Sequence, residues 1–394
     1  MIKITVFSDV HFGFSINEET ENDPNEIIEE IFEKNKDSDL IIICGDVFHS
    51  RSPKIEVIEK AISSLKKFLE IPSKVRVVES DKKMDNLKIE AIERHLPIIT
   101  INGNHDRSSI GEKNILDILD EANIIVHLNS NYVVFEKDKQ KISIFGFGNV
   151  PENIAKDYLY KNVKHIENCT NILVLHQTIY PYIFYSQEYS LKIDNLPKRF
   201  DVIINGHYHS IVEENINGSK LIMPGSLIST KLKEEESNIE KFYVNIYIDG
   251  GIVKTEKINI KRARKFFYLK FSKNDSKEKI ENEIAKIVNK NYIKKPIVKV
   301  IIERENNEDF SYLIKEFSDK CILLLKTELV EDKKIEIYSK ENIQSILDFA
   351  IENIKKNIGS EDFPIKIENL IKLLEDKNSI EKIVDMLINK QKTL

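Results

Sequence analysis

Hydrophobic residues in the first hundred positions alternate between short continuous runs and stretches with helical spacing. The runs 2–8, 40–44 and 97–101 predict buried strands, and stretches 25–35 and 54–70 predict helices. Ser52 is the predicted N-cap of the second helix. The apolar residues of this helix have helical spacing: Ile55, Ile58, Ile62, Leu65 and Leu69. This rhythm indicates strands and crossover helices in one sheet.

After residue 122 the pattern changes to closely spaced strands, which are predicted at 124–128, 132–136, 142–147, 171–175, 201–205 and 242–248. This number of strands predicts two sheets packed face to face with helices outside. We therefore expect an α/β protein in which residues 1–260 form a four-layer α/β/β/α sandwich. The polar segment 72–95 receives no firm assignment.

A second unit is predicted from the basic stretch 261–265 onward. A strand at 266–271, a helix at 276–289 and a strand at 296–303 indicate a small α+β cap domain, assigned to 261–340. Residues 341–394 are predicted as a helical tail, with one helix at 343–354. Within it, 365–390 carries an apolar stripe at helical spacing that either packs on the cap or docks into a partner's groove.

Composition is that of a globular protein, with 41% hydrophobic and 31% charged residues. No apolar run is long enough to span a membrane, and the first residues have the pattern of a strand rather than a signal peptide, so we expect a cytoplasmic protein. Cys44, Cys169 and Cys321 lack pairing or metal spacing, which predicts buried free thiols. The formal net charge of -6 does not favour nucleic-acid binding, although an acidic surface can mask a basic groove.

Candidate chemistry is confined to the first 209 residues, which contain all nine histidines. Five fragments each follow a predicted strand: Asp9-Val10-His11, Gly45-Asp46-Val47-Phe48-His49, Gly103-Asn104-His105-Asp106, His176 and Gly206-His207-Tyr208-His209. Ligands of α/β sheets bind beyond the carboxyl ends of strands, so this shared placement brings the fragments together. Outside these fragments, His95, His127 and His165 are assigned to surface or core.

The residue types in these fragments are those of a dinuclear metal site for phosphate-ester hydrolysis, which requires an activated water and neutralisation of phosphoryl charge. Asp9 and His11 are two residues apart, so an extended backbone would direct both side chains to one side. His207 and His209 repeat this spacing. Asp46 has two carboxylate oxygens with which to bridge two ions.

Asn104 adds a neutral amide oxygen to the candidate ligands. Carboxylate, amide and imidazole ligands without thiolate suit manganese, iron or zinc. Each fragment alone is more often structural, and only the ordered set makes the metal site the better interpretation.

This ordered set resembles the calcineurin-like metallophosphoesterases over the first 260 residues. The resemblance implies one metal held by Asp9, His11, Asp46 and His209. It implies a second metal held by Asp46, Asn104, His176 and His207. It also implies that His105 faces the scissile phosphate, where an imidazole can stabilise charge or protonate the leaving oxygen.

Within that superfamily, the Gly45–His49 fragment followed by Pro53 is similar to double-strand-break repair nucleases of the SbcD type and their eukaryotic relative, the meiotic recombination eleven protein. The resemblance implies that His49 acts with His105 at the phosphate. It implies a nuclease with two Mn²⁺ ions that degrades duplex ends 3′ to 5′ and cuts single strands.

The same resemblance implies a homodimer, formed through helices at 55–69 and 115–119, in complex with an SMC-like ABC-type ATPase of the SbcC kind. The helix at 365–390 would bind that ATPase. One departure from prokaryotic members of the family is a stretch of about 25 extra residues at 72–96, which makes dimerisation and DNA access less secure.

Candidate DNA contacts are Arg51 and Arg107, which directly follow metal-site motifs, and Arg262 and Arg264 in the basic stretch. Loop arginines are more often only solvated. Two other functions stay open. One is a phosphodiesterase or phosphatase for nucleotides or phosphoproteins with the same metals, and the other is a non-catalytic scaffold that has lost them.

Overall fold

The computed structural model of the chain describes residues 1–108, 112–183, 191–304 and 308–329. In chain order the strands are β1 (Ile2–Phe7), β2 (Leu40–Ile43), β3 (Arg76–Ser80), β4 (Ile98–Thr100), β5 (Val126–His127), β6 (Asn131–Lys137), β7 (Gln140–Phe147), β8 (Thr170–Leu175), β9 (Ile179–Tyr180), β10 (Leu191–Lys192), β11 (Val202–Asn205), β12 (Val212–Ile216), β13 (Ser219–Met223), β14 (Phe242–Asp249), β15 (Ile252–Asn259), β16 (Phe266–Phe271), β17 (Ile297–Arg304) and β18 (Ile322–Leu329). The helices are α1 (Asp23–Lys34), α2 (Ile55–Lys66), α3 (Asn86–Arg94), α4 (Ile115–Glu121), α5 (Glu152–Asn162), α6 (Lys277–Val288) and α7 (Tyr312–Phe317).

Two large sheets form the centre of the protein. One has six strands in the order β15-β14-β1-β2-β4-β5, and the other has seven in the order β12-β13-β11-β8-β7-β6-β3. Strands β1, β2, β4 and β5 run parallel in the first sheet, as do β7, β8, β11 and β13 in the second. Their buried runs are mostly apolar on both faces, as expected for parallel strands covered on both sides.

Alternate residues of these strands supply different cores. In β2, Leu40 and Ile42 pack between the sheets together with Val174 of β8. On the opposite face of β2, Ile41 and Ile43 pack with residues of α1, α2 and α4. The outer face of the second sheet packs with Leu159 of α5. The predicted four-layer α/β/β/α sandwich is therefore confirmed.

Segment 72–95, which the sequence left unassigned, contains both a strand and a helix. Strand β3 pairs antiparallel with β6 and becomes the edge of the seven-stranded sheet. Ile92 of α3 joins the core between the sheets, and Lys88 donates a 2.6 Å hydrogen bond to the carbonyl of Ile125 near the first sheet. The segment thus links the two sheets at one end of the sandwich.

Strands β16, β17 and β18 form a separate three-stranded sheet, and helices α6 and α7 lie between them along the chain. All three strands are parallel and alternate with helices along the chain, as in an α/β unit. The sequence pattern predicted an α+β cap instead. The domain boundaries stay predictions. The predicted helices at 343–354 and 365–390 lie outside the described residues.

Two smaller predictions differ from the structure. Helix α2 has Lys54 rather than Ser52 as its N-cap, because the chain is still extended at Lys54 and no side chain caps the helix. Cys44 and Cys321 are buried as predicted, but Cys169 is partly exposed. Among the described residues no helix has the length and apolarity that a membrane span requires.

Candidate metal centre

The five motif fragments meet at the carboxyl ends of strands from both sheets. Strands β1, β2 and β4 of the six-stranded sheet precede the first three fragments, and β8 and β11 of the seven-stranded sheet precede the other two. Because these strands run parallel within each sheet, their carboxyl ends share one edge. The site therefore lies where this edge of one sheet faces the same edge of the other.

Asp9, His11 and His209 form the first pocket. Their candidate ligand atoms all lie within 4.8 Å of one another. Asp9 Oδ1 is 3.9 Å from His11 Nε2 and 3.7 Å from His209 Nε2. Asp9 and His11 are fully buried, so this carboxylate and imidazole face each other away from bulk water.

Asp46, His176 and His207 form the second pocket, again with ligand atoms within 4.8 Å of one another. His176 Nε2 lies 3.4 Å from Asp46 Oδ2 and 3.3 Å from Asn104 Oδ1. Asp46 Oδ2 is also 3.9 Å from His11 Nε2 of the first pocket. One carboxylate oxygen thus stands between the two pockets, and the structure brings all seven predicted ligand residues together.

The backbone at these ligands is not extended, contrary to the sequence expectation for Asp9 and His11. Both residues adopt left-handed conformations, with φ of 52° and 53°, and so do Asp46 and His207, at 48° and 70°. Asp, Asn and His tolerate this region better than other non-glycine residues. The side chains converge because of these tight turns, and such strained positions are typical of functional sites.

Two glycines permit the close approach of the ligand loops. A Cβ on Gly103 would lie 2.0 Å from Asp46 Oδ1, and a Cβ on Gly45 would lie 2.4 Å from His176 Nδ1. Gly45 also has a φ of 85°, in the left-handed region. Neither position can accept a side chain without displacing a candidate ligand.

Hydrogen bonds from Nδ1 to backbone carbonyl groups orient the rings of His176 and His105. His176 Nδ1 lies 2.7 Å from the carbonyl of Cys44, and since a carbonyl only accepts, Nδ1 donates and Nε2 is the ring nitrogen that faces the pocket. His105 Nδ1 donates in the same way to the carbonyl of His49 at 2.8 Å. The rings of His49 and His105 stack with centroids 5.1 Å apart.

Burial and the aspartates set the protonation of the pockets. Burial lowers the pKa of His11 and His207 to about 3, which keeps both imidazoles neutral. Burial also acts to lower the pKa of His176, but the charge and hydrogen bond of Asp46 outweigh it and raise that pKa to about 9. The same interaction holds the pKa of Asp46 below its usual value against the effect of burial.

The unpaired atoms of the first pocket fit a cation. Asp9 Oδ1 and His11 Nε2 are buried and have no hydrogen-bond partner. A buried carboxylate oxygen without a partner is costly unless it coordinates a metal. Together with the mixed oxygen and nitrogen donors, these atoms support a divalent metal centre.

Two residues that the sequence analysis gave no role support the ligand loops. The buried carboxylate of Asp106 accepts backbone N–H groups from Val47, Phe48 and Gly103, at 2.8–3.2 Å. Burial, followed by the charge of Asp46, raises the pKa of Asp106 to about 7. Its place in the Gly103–Asp106 fragment was the available sign of this role.

The second such residue, Glu236, lies 2.7 Å from His209 Nδ1. It ends a run of three glutamates, a pattern that indicates a solvated turn rather than a buried carboxylate.

The candidate DNA contacts lie in different surroundings. Arg51 is exposed next to the His49 loop, and Arg107 donates to Asn149 at 3.2 Å. Arg262 pairs with Glu33 at 2.8 Å, and Arg264, only 7% exposed, pairs with Asp23 at 2.7 Å. These ion pairs engage Arg262 and Arg264 within the chain.

The three histidines assigned to surface or core lie apart from both pockets. His127 is buried against Asp117, with 2.9 Å between ring nitrogen and carboxylate oxygen. His95 contacts the carbonyl of Leu69, and His165 is exposed.

The two-sheet sandwich thus places two Asp/His pockets that could hold metal ions at the ends of its strands. Residues 2–210 match the family model of the calcineurin-like phosphoesterases, and the chain belongs to this family. The curated relatives to which the chain is similar include proteins named for double-strand break repair. Mre11 of Sulfurisphaera tokodaii is 28% identical over 274 residues, which cover 67% of this chain and 63% of the relative.

Two eukaryotic relatives have related names. The double-strand break repair protein mus-23 of Neurospora crassa is 25% identical over 298 residues, 67% of this chain and 40% of the relative. MRE11 of Arabidopsis thaliana is 23% identical over 364 residues, 77% of this chain and 50% of the relative. The chain thus spans 40% to 63% of the length of these curated relatives.

Proposed function

We propose that this protein is a metal-dependent DNA nuclease that processes ends in double-strand break repair. The observation that carries the proposal is the pair of pockets that share Asp46, in a chain whose relatives are named double-strand break repair proteins. The finer proposal is a 3′ to 5′ exonuclease on duplex ends and an endonuclease on single strands, with two Mn²⁺ ions per chain. The ligand chemistry alone also suits iron or zinc.

The proposed ligands of the two ions follow from the pockets. Asp9, His11 and His209 would hold one ion, Asn104, His176 and His207 would hold the other, and Asp46 would contact both. When bound, such ions polarise water and neutralise charge on the phosphate. The neutral imidazoles of His11 and His207 suit this role because a protonated ring cannot be a ligand.

His105 is the proposed group that acts on the phosphate or the leaving oxygen. Its ring centroid is 5.0 Å from that of His11, so it stands beside the first pocket. Its Nδ1 is bound to the carbonyl of His49, which leaves Nε2 as the ring nitrogen that could act on the phosphate. His49 stacks on this ring and is the proposed second phosphate-facing histidine.

Replacement of His105 tests this assignment. We expect His105→Ala to bind the same number of Mn²⁺ ions as the parent protein but to hydrolyse end-labelled duplex DNA about 100- to 10,000-fold more slowly, as for loss of an acid-base group. His165→Ala, at an exposed histidine, is the matched control and should have parental activity. Full DNA hydrolysis by His105→Ala would refute the role.

The same assay separates the competing functions. Faster hydrolysis of cyclic nucleotides or phosphopeptides than of duplex DNA would favour a phosphodiesterase or phosphatase. Purified protein that binds no metal would favour a scaffold, but the unpaired Asp9 Oδ1 and the complete ligand set argue against that reading.

The proposed interactions concern DNA, a second copy and an ATPase. Arg51 and Arg107 are the favoured DNA contacts, since Arg262 and Arg264 are engaged in ion pairs. The apolar residues Ile55 of α2, 80% exposed, and Ile118 of α4, 60% exposed, support a homodimer through these helices. The proposed partner of segment 365–390, which is predicted as a helix from the sequence alone, is an SMC-like ATPase of the SbcC kind. The proposed compartment is the cytoplasm.

A further inference from the structure

His209 is held by a carboxylate that lies outside every motif fragment. Its Nδ1 is 2.7 Å from Glu236 Oε1, and Glu236 is only 3% exposed. Because a carboxylate accepts, Nδ1 donates this hydrogen bond, and Nε2 lies 3.7 Å from Asp9 Oδ1. A carboxylate in this position orients a metal-ligating histidine and raises its basicity.

Glu236 belongs to a short segment, 229–240, which we call the strap. The second carboxylate oxygen of Glu236 accepts the backbone N–H of Leu232 at 2.9 Å, which closes the strap on itself. Leu232 has a φ of 48°, in the left-handed region that a leucine rarely adopts. The surrounding contacts must therefore stabilise this turn.

Those contacts come from the three-stranded sheet. The carbonyl of Leu232 accepts a hydrogen bond from Lys299 of β17 at 2.9 Å, and its side chain packs in a cluster with Phe266, Ile297, Ile322 and Leu324. Just after Glu236, Ser237 Oγ accepts the N–H of Tyr268 at 2.9 Å, and Asn238 donates its N–H to the carbonyl of Phe266 at 2.7 Å. The strap thus contacts both His209 and strands β16 and β17.

We propose that Glu236 is the positioning residue of His209 and that the strap couples the three-stranded sheet to the first pocket. A displacement of β16 and β17 would move Leu232 and hence Glu236, which changes the affinity of the first pocket for its ion. The inference rests on the metal centre proposed above. Because coupling between two sites is reciprocal, ion binding would also stabilise the strap against local opening.

The positioning role is tested by metal binding rather than by DNA hydrolysis. Titration of the full chain with Mn²⁺, followed by electron paramagnetic resonance, should show that Glu236→Ala weakens one of two ions by about 10- to 100-fold. Glu236→Gln retains an acceptor for His209 Nδ1 and should lose less. Glu235→Ala, at the exposed neighbour in the same turn, is the matched control and should bind as the parent does.

The coupling is tested from the side of the three-stranded sheet. Lys299→Met removes a contact to the strap but touches no candidate ligand, and should weaken the same ion by about fivefold. Hydrogen exchange of the backbone amides in 230–240 should slow when Mn²⁺ is added to the parent protein, and should not respond in Glu236→Ala.

Three results would count against these assignments, each in a different way. Parental affinity of Glu236→Ala for both ions overturns the positioning role, and unchanged exchange in the parent overturns the coupling. A parent protein that binds no ion overturns the metal centre itself, and with it the proposed function. Circular dichroism of each variant separates these results from a folding defect.

Discussion

The two pockets of the metal centre contain similar residues, but their ligand atoms differ in hydrogen bonding and in protonation. In the first pocket, Asp9 Oδ1 and His11 Nε2 are buried without a hydrogen-bond partner. In the second, His176 lies between Asp46 and Asn104, and its pKa is raised to about 9. An ion entering the first pocket meets free ligand atoms, whereas an ion entering the second must displace a proton. The comparison predicts two ion sites with different pH behaviour.

The largest effect is expected where the pockets join. Asp46→Ala removes the carboxylate that lies near both His11 and His176, so both ions should bind much more weakly. We expect DNA hydrolysis to fall more than about 1,000-fold, since the metal contribution to transition-state stabilisation is lost. Mn²⁺ stoichiometry and end-labelled duplex assays measure the two effects. If one ion kept its parental affinity, Asp46 would belong to a single pocket.

Replacement of one histidine in each pocket should have a smaller effect on DNA hydrolysis and should distinguish the two pockets. His11→Asn and His176→Asn should each lose one ion of two and reduce hydrolysis by about 100-fold. The affinity of the ion that remains in His11→Asn should rise more steeply with pH than the affinity of the ion that remains in His176→Asn. Equal pH dependence of the two variants would show that the pockets do not differ.

The smallest effect is the pH dependence of the parent protein. The pKa of His176 rises from 6.5 to about 9, so below about pH 9 the metal-free protein holds a proton that the ion must displace. Affinity of the second pocket for Mn²⁺ should therefore rise with pH, by up to about tenfold per unit between pH 6.5 and 9. His11 is neutral above about pH 3 and has no proton to displace in this range, so the affinity of the first pocket should rise less steeply. Mn²⁺ titrations at three pH values check both slopes.

Most of the metal centre could be predicted from the sequence because each ligand fragment directly follows a strand. The spacing of Asp9 and His11 did not reveal the left-handed turns that orient them, since residue spacing carries no information on φ. The role of Glu236 was hidden for another reason. In the sequence it is one of three adjacent glutamates. Only the structure shows that its carboxylate is buried and contacts His209.

The fold was predictable to a similar extent. Strands buried on both faces, such as β2, are evident as apolar runs. Strand β3 was missed because its residues, Arg76–Ser80, are largely exposed or half-buried at a sheet edge and show no apolar run. The parallel order of β16, β17 and β18 depends on crossovers, one of which uses the six-residue helix α7, too short for a clear helical pattern.

The stability of this fold should depend on bound metal because four candidate ligands adopt left-handed turns, namely Asp9, His11, Asp46 and His207. Strained backbone and unpaired buried ligand atoms both destabilise the native state. An ion that binds only the native chain adds about 2.7 kcal/mol to the free energy of unfolding at a hundredfold excess over its Kd. Removal of that ion would therefore lower the free energy of unfolding by the same amount.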